Sequence, residues 1–290
     1  MVPLAALTAG LAFIAVTAAR AQVEPDVDAL MMRVSERIAD FYTRARNVIC
    51  IERSTVQPID LTNSLVGFSR TVESELHVEA ANEQSPGEAV FVRKVLKVNG
   101  RAPRETDKKD RSGCTDPNPL TSEPLAFLMP AHRAEYVFKA AGTTTDRNRT
   151  ALMIDFASRD RRSNPVLIQD PEGRDDCFDW SGHIASRGRV WIDAATYDVL
   201  RVDRGIPGPV EVRVPVPIQR RYRLDHSVVI VRDDVTIRYE KVAFSDPEEV
   251  LLLPESIGAH IVVRGGLQST RRFQTFSDYR RFVTKGKVVE

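Results

Sequence analysis

The segment DPEGRDDCFDWSGH, from Asp170 to His183, concentrates the residue types best suited to chemistry. Asp170, Glu172, Asp175, Asp176, Asp179 and His183 could ligate a hard cation, because carboxylate oxygens suit Ca²⁺. Their order lacks the glycine-centred arrangement of a Ca²⁺ loop, so a solvated acidic loop is expected and no metal is assigned. Cys177 and His183 could pair as nucleophile and base. A reactive thiol needs an electropositive setting, and the neighbouring carboxylates oppose that, so Cys177 reads as half of a disulfide. The chain contains no His-Glu-x-x-His, Gly-x-Ser-x-Gly or Gly-x-x-x-x-Gly-Lys. Its five histidines, His77, His132, His183, His226 and His260, are scattered. The chain therefore reads as non-enzymatic, with no cofactor.

The residues before this segment say where it works. Leu4 to Ala18 is an uncharged apolar run, shorter than the about 20 residues of a membrane span. It ends in Ala19-Arg20-Ala21, a small-x-small cleavage pattern. Residues 1–21 are expected to be a secretory signal and residues 22–290 one domain, exported to the periplasm or beyond. The alternative is an uncleaved anchor. No Cys follows the cut, so lipid attachment there is not expected. The 41 Lys and Arg include Arg20 of the signal, so the mature chain carries 40 against 40 Asp and Glu. That balance argues against nucleic acid as a partner. A chain this long buries about 75% of its unfolded surface and needs no metal to fold.

Export permits a disulfide among Cys50, Cys114 and Cys177. Cys50 sits in the apolar stretch NVICIER, and the other two lie in polar loops. The expected bridge is Cys114–Cys177 with Cys50 a buried thiol, although three cysteines allow three single bridges.

The elements follow from hydrophobic period. Val27, Leu30, Met31, Val34, Ile38, Phe41, Tyr42 and Ala45 recur at helical spacing behind Asp26, a plausible N-cap. Period two then takes over. Strands are expected at Val48–Val56, Phe68–Val78 and Val90–Val98, the last ending at the turn pair Asn99-Gly100. Thr106–Pro119 reads as a loop. Ser122 and Pro124 open a short helix carrying Leu125, Phe127 and Leu128. Further strands are expected at Tyr136–Ala141, Ala151–Phe156, Val190–Asp193, Val199–Asp203, Val210–Val214, Arg221–Leu224, Val228–Val231, Val235–Phe244, Ser256–Arg264 and Ser269–Arg281. Arg159–Ser186 reads as loop. No Gly-rich strand-to-helix turn appears, which disfavours a nucleotide-binding α/β fold.

The fold class is thus mainly β with α: a large, curled antiparallel sheet, a half-barrel. The N-terminal helix and the short helix Pro124–Met129 cover its concave face. A curled sheet under two mobile covers makes a closable apolar cavity.

The segment GRVWIDAATYDVLRVDR, Gly188 to Arg204, resembles the periplasmic lipoprotein-carrier superfold, which includes outer-membrane lipoprotein carriers and lipid-sensing regulators of envelope stress. KVLKVNGR (Lys94–Arg101) and LLLPESIGAHIVV (Leu251–Val263) resemble it too. The resemblance implies an eleven-stranded half-barrel, helices on its concave side, and a cavity for acyl chains. The Asp107–Pro119 loop and the acidic loop around Cys177 look like additions to that pattern.

Met31, Val34, Ile38, Phe41, Leu125, Phe127, Leu128 and Trp191 are the candidate cavity residues, each with a plain core reading beside it. The Arg pairs Arg220-Arg221, Arg271-Arg272 and Arg280-Arg281 could bind an anionic headgroup or acidic partner, but adjacent strand residues face opposite ways, so no pair forms one bidentate patch and solvated sheet faces are the default reading. The reading adopted is an exported binding module that holds a lipid or lipoprotein acyl chain. Its alternatives are an envelope protein-interaction or sensor domain with a filled core, and a hydrolase or metal-dependent enzyme at the Cys177 loop.

Overall fold

Alternation of apolar and polar residues over most of the chain produces strands, and their length and number produce one sheet. The computed structural model describes residues 26–44, 48–80, 89–104, 107, 125–170, 177–246 and 248–281. The signal segment, Ser122, Pro124, Cys114, most of the Asp107–Pro119 loop, and Glu172, Asp175 and Asp176 lie outside the described residues.

The chain opens with helix α1 (Val27–Arg44) and three strands, β1 (Val48–Ile59), β2 (Arg70–Ala80) and β3 (Ala89–Val98). A 3₁₀ turn (Ala126–Leu128) and the one-turn helix α2 (Pro130–Arg133) lead into β4 (Tyr136–Asp146) and β5 (Arg149–Ser158). Then come β6 (Val166–Gln169), β7 (Phe178–Ser181), β8 (Arg187–Asp193), β9 (Val199–Gly205) and β10 (Val210–Arg213). Helix α3 (Val216–Tyr222) precedes the long β11 (Ser227–Ser245), β12 (Glu248–Arg264) and β13 (Ser269–Arg281).

The described strands join a single 13-stranded sheet in the order β3-β2-β1-β13-β12-β11-β9-β8-β5-β4, and β10, β6 and β7 extend it beside β11. Every pairing is antiparallel except β6 with β10. The first strand pairs with the last, β1 with β13. The end strands β3 and β4 do not pair with each other, so the sheet is open and curled, a half-barrel rather than a barrel.

Register assigns the faces. Ala140, Ile154, Val190, Val202, Ile237 and Ile257 stand directly opposite one another on successive strands. Directly paired residues share a face, so these six form one apolar row. Helix α1 lies on it: Leu30, Met31, Val34 and Ile38 belong to the same buried cluster as the row, with Leu125, Phe127 and Leu128 of the 3₁₀ turn. Full burial of each such side chain contributes about 1.5–3 kcal/mol. Asp26 caps α1, its Oδ1 accepting from the backbone N–H of Asp28 and Ala29 at 3.1 and 3.2 Å. A second cluster on the same face gathers Leu167, Val210, Val212, Val228, Ile230 and Val263 where β6, β7 and β10 fold over β11 and β12.

The structure corrects several sequence expectations. Arg159–Ser186 is not all loop: it holds β6 and β7, each 4 residues long. Runs that short carry little alternation, and their apolar residues are buried only by distant partners. Arg221–Leu224 is not a strand. Pro215 and Pro217 start helix α3, which stops at Arg223 in the left-handed region at φ 56. Val228–Val231 and Val235–Phe244 are one strand, β11, interrupted by a bulge rather than a turn. Phe68 precedes β2 and is 96% exposed. The described residues form thirteen strands where the resemblance implied eleven.

Curling brings strands into close contact at Gly188. A Cβ there would lie 1.9 Å from the Asp203 carbonyl oxygen and 2.8 Å from Phe156 Cζ. Gly188→Ala is therefore expected to cost about 1–3 kcal/mol, read as a lower urea midpoint. An unchanged midpoint would show that β8 and β9 can separate freely.

Candidate functional site

The hairpin between β8 and β9 docks α1. Asp193 Oδ1 accepts from the backbone N–H of Ala195 and Thr196 at 2.9 and 3.2 Å, which shapes the turn. Tyr197 takes the left-handed region at φ 61. The turn thereby presents Tyr197 and Asp198 to the helix. Arg33 donates to Tyr197 Oη at 2.6 Å, and Arg37 Nε to Asp198 Oδ1 at 2.6 Å. Asp198 is held by Thr196 Oγ1 at 2.8 Å. These polar ties run along one flank of the apolar stripe of α1. Within the stripe Ser35 Oγ lies 2.6 Å from Leu128 O and 2.8 Å from Met31 O, one turn back in its own helix.

Of the sequence-derived cavity residues, the structure brings together Met31, Val34, Ile38, Leu125, Phe127 and Leu128. Phe127 stacks against Phe156 and Tyr136, with ring centroids 4.6 and 5.6 Å away. Phe41 sits further along α1 and packs with Val48, Phe244, Leu251 and Leu253. Between Ile38, Phe41, Leu125, Tyr239 and Leu252 a space of about 20 Å³ remains, room for about one water. Trp191 is not with them. It pairs in register with Met153 and Arg201, one residue out of phase with Val190 and Val202, and so projects from the opposite face. There the Arg201 guanidinium lies 4.4 Å from its ring centroid.

Toward β1 and β13 the α1 face turns polar. Glu52 is 3% exposed and Gln274 2%. Arg93 grips Glu52 with Nε at 2.5 Å and a second nitrogen at 3.2 Å, and Gln274 Nε2 donates to Glu52 Oε1 at 2.8 Å. The only advance signal was a charge inside an alternating strand, Glu52 within Val48–Val56. Next to it, burial pushes the Cys50 thiol from 9.0 up to about 12; Glu52 adds to the rise and Arg93 opposes it. The fold thus holds this proton more tightly than the unfolded chain does. The associated stability is complete below pH 9.0 and is lost as pH climbs toward about 12. At pH 9, Cys50 is expected to resist iodoacetamide in the folded protein and to react in urea. Equal labelling rates in both would refute its burial.

The described residues of the Cys177 loop form no catalytic or metal assembly. Cys177 is disulfide-bonded and Cys50 is free. His183 Nε2 lies 3.0 Å from the Asp160 carbonyl oxygen, and Asp179 Oδ1 accepts from the Trp180 N–H at 2.8 Å. Among the described residues no three His, Cys, Asp or Glu side chains are placed to hold a metal ion.

The face opposite α1 bears the larger concavity, a trough of about 1060 Å³ bordered by Trp191, Arg189, Asp203, Thr236, His260 and Phe273. Burial, then Arg232 and Arg271, hold His260 below the usual histidine range. Among the described residues no helix is long and apolar enough to cross a membrane.

No family model matches the chain, and no curated protein matches it. Among solved structures it is similar to a domain described as an outer membrane lipoprotein-sorting protein from Vibrio parahaemolyticus. That likeness has 11% identity over 91% of this chain and 95% of that chain, with a TM-score of 0.38. A DUF1329 family protein from Desulfovibrio piger is 11% identical over 89% of this chain and 94% of that one, with a TM-score of 0.40. A LolA superfamily protein from Nitrosomonas europaea is 9% identical over 88% and 96%, with a TM-score of 0.30. The chain thus has a remote resemblance to lipoprotein-carrier-like folds, and no function follows from it.

Proposed function

We propose that this chain is an exported, non-enzymatic binding module in which α1 is a displaceable cover and the ligand of the covered face is an acyl chain. One observation carries the reading. The apolar row is roofed by an amphipathic helix whose polar ties to the β8–β9 turn lie along one flank, and the one polar group in its stripe, Ser35, keeps a partner in its own helix at Met31 O. Hydrocarbon can then replace the helix with Ser35 still satisfied, at the cost of the Ser35 contacts to Leu128 O and Arg133, and contributes about 0.8 kcal/mol per buried CH₂. In this reading Met31, Val34, Ile38, Phe41, Leu125, Phe127 and Leu128 meet the ligand, and Cys114 is the disulfide partner of Cys177.

Native mass spectrometry of protein purified from an exporting host is expected to show bound lipid, and the delipidated protein is expected to take up a fluorescent fatty acid. Asp198→Ala, which cuts the tie to Arg37, is expected to speed uptake several-fold. A ligand-free mass together with no uptake would sink the proposal.

The second reading is an envelope protein-interaction module with a filled core. It is favoured by the small size of the space beneath α1, about 20 Å³ among the described residues.

A further inference from the structure

The trough on the face turned away from α1 crosses β5, β8, β9, β11, β12 and β13, six neighbouring strands. At about 4.8 Å per strand spacing it is about 24 Å long. A groove of about 350 Å³ beside Val137, Lys139 and Arg159 shares Asp155, Phe156 and Ala157 with it and continues it to the edge strand β4. The shape suits a linear ligand rather than a compact one.

Gly258 lies on the floor, paired with Thr236 on one side and Phe273 on the other. Its φ is outside the left-handed region, and a Cβ would meet nothing nearer than Phe273 Cδ2 at 4.0 Å. Neither backbone conformation nor crowding inside the fold calls for glycine here. Glycine within a strand weakens it by about 0.5–1 kcal/mol relative to alanine and often marks close approach of a ligand or another backbone. Beside it Phe273 stands 55% exposed in the middle of the sheet. The open floor and the bare ring together make a platform.

Charge defines the occupant. Two arginines of the trough and one beside it are neutralised locally: Arg189 by Asp155 at 2.6 Å, Arg232 by Asp234, and, over Trp191, Arg201 by Asp203 at 2.5 Å. Arg187 and Arg271 are exposed and make no ion pair among the described residues. They stand on one register row, through Gly205, Asp234 and His260, with four strand spacings between them. That places them about 19 Å apart, the reach of about six residues of extended chain. On the strands between them Asp203 and Asp234 are already matched by Arg201 and Arg232, so the row offers unmatched positive charge only at its two ends. A sparse acidic chain, with carboxylates spaced to the two arginines, fits that pattern.

We propose that this trough docks an extended acidic peptide of a partner protein, its backbone lying over Gly258 and Phe273 and two of its carboxylates meeting Arg187 and Arg271. The site is separate from the α1 face, so it stands whether or not that face holds lipid.

The test is fluorescence anisotropy of the mature, full chain with fluorescein-labelled Glu-Thr-Val-Thr-Val-Thr-Glu, its Gln-ended counterpart, and labelled oligogalacturonate. The Glu peptide is expected to bind, with the Gln peptide and the Arg187→Ala/Arg271→Ala variant each weaker by about tenfold. Gly258→Val is expected to keep or raise the thermal midpoint while abolishing binding, and to leave fatty-acid uptake unchanged. A merely structural role for Gly258 predicts the reverse. The proposal is overturned if the Glu peptide fails to bind at millimolar protein, if the Gln peptide binds as well, or if a folded Gly258→Val variant binds normally. Binding of oligogalacturonate alone overturns it in favour of a glycan. Should Gly258→Val not fold, the double arginine variant decides, and undiminished binding by it refutes the site.

Discussion

Arg93→Ala is expected to destabilise the protein by about 3–5 kcal/mol, the loss typical when one member of a buried ion pair is removed. Glu52 would be left inside the sheet with Gln274 as its remaining donor. Burying an ionised carboxylate without its counter-charge costs several kcal/mol, and the group escapes by taking up a proton or by opening the structure. The measurement is urea unfolding at pH 7 followed by circular dichroism. The triple variant Glu52→Leu, Arg93→Met, Gln274→Leu is expected to recover most of the loss, because apolar replacement of a whole buried polar group often costs little. A single variant within about 0.5 kcal/mol of wild type would show that the Arg93–Glu52 contact is not formed in solution.

The second large effect concerns the cover itself. Met31 is 1% exposed and faces the apolar row. Met31→Asp places a carboxylate there with no partner, at a cost of about 4 kcal/mol or more. If α1 is a displaceable cover, that cost is relieved by detaching the helix. The strand signal in circular dichroism should then persist, while amides of α1 lose hydrogen-exchange protection and a dye for apolar surface binds. Collapse of the strand signal together with the helix would mean that α1 is part of one cooperative core. The filled-core reading would then replace the acyl-chain one.

The two expectations differ in how legible they were. Met31, Val34 and Ile38 could be assigned to one helix face from spacing alone, since a period of 3.6 is a local property. The Glu52–Arg93–Gln274 group could not. Its members come from β1, β3 and β13, and they meet only because the first strand pairs with the last. Trp191 shows the same division within a single strand. Its membership of a β-hairpin was readable from Trp-Ile-Asp and Val-Leu-Arg-Val. Its face depended on phase, and a one-residue offset from Val190 sends it to the other side of the sheet. The short strands β6 and β7 were missed because four residues carry no reliable period, and α3 because Val216–Tyr222 is apolar at only a few positions.

By itself, the sequence determined the class of this protein: long alternating segments make a sheet, one amphipathic helix must cover part of it, and no motif supports catalysis. Those conclusions rest on nearest-neighbour stereochemistry and on the need to bury apolar surface. The tertiary structure alone decided which residues share a place. It placed the buried ion pair on the α1 face and the Gly258 trough behind it. The reason is physical: strand order and bulges set the phase of every side chain, and both depend on pairings between segments far apart in the chain.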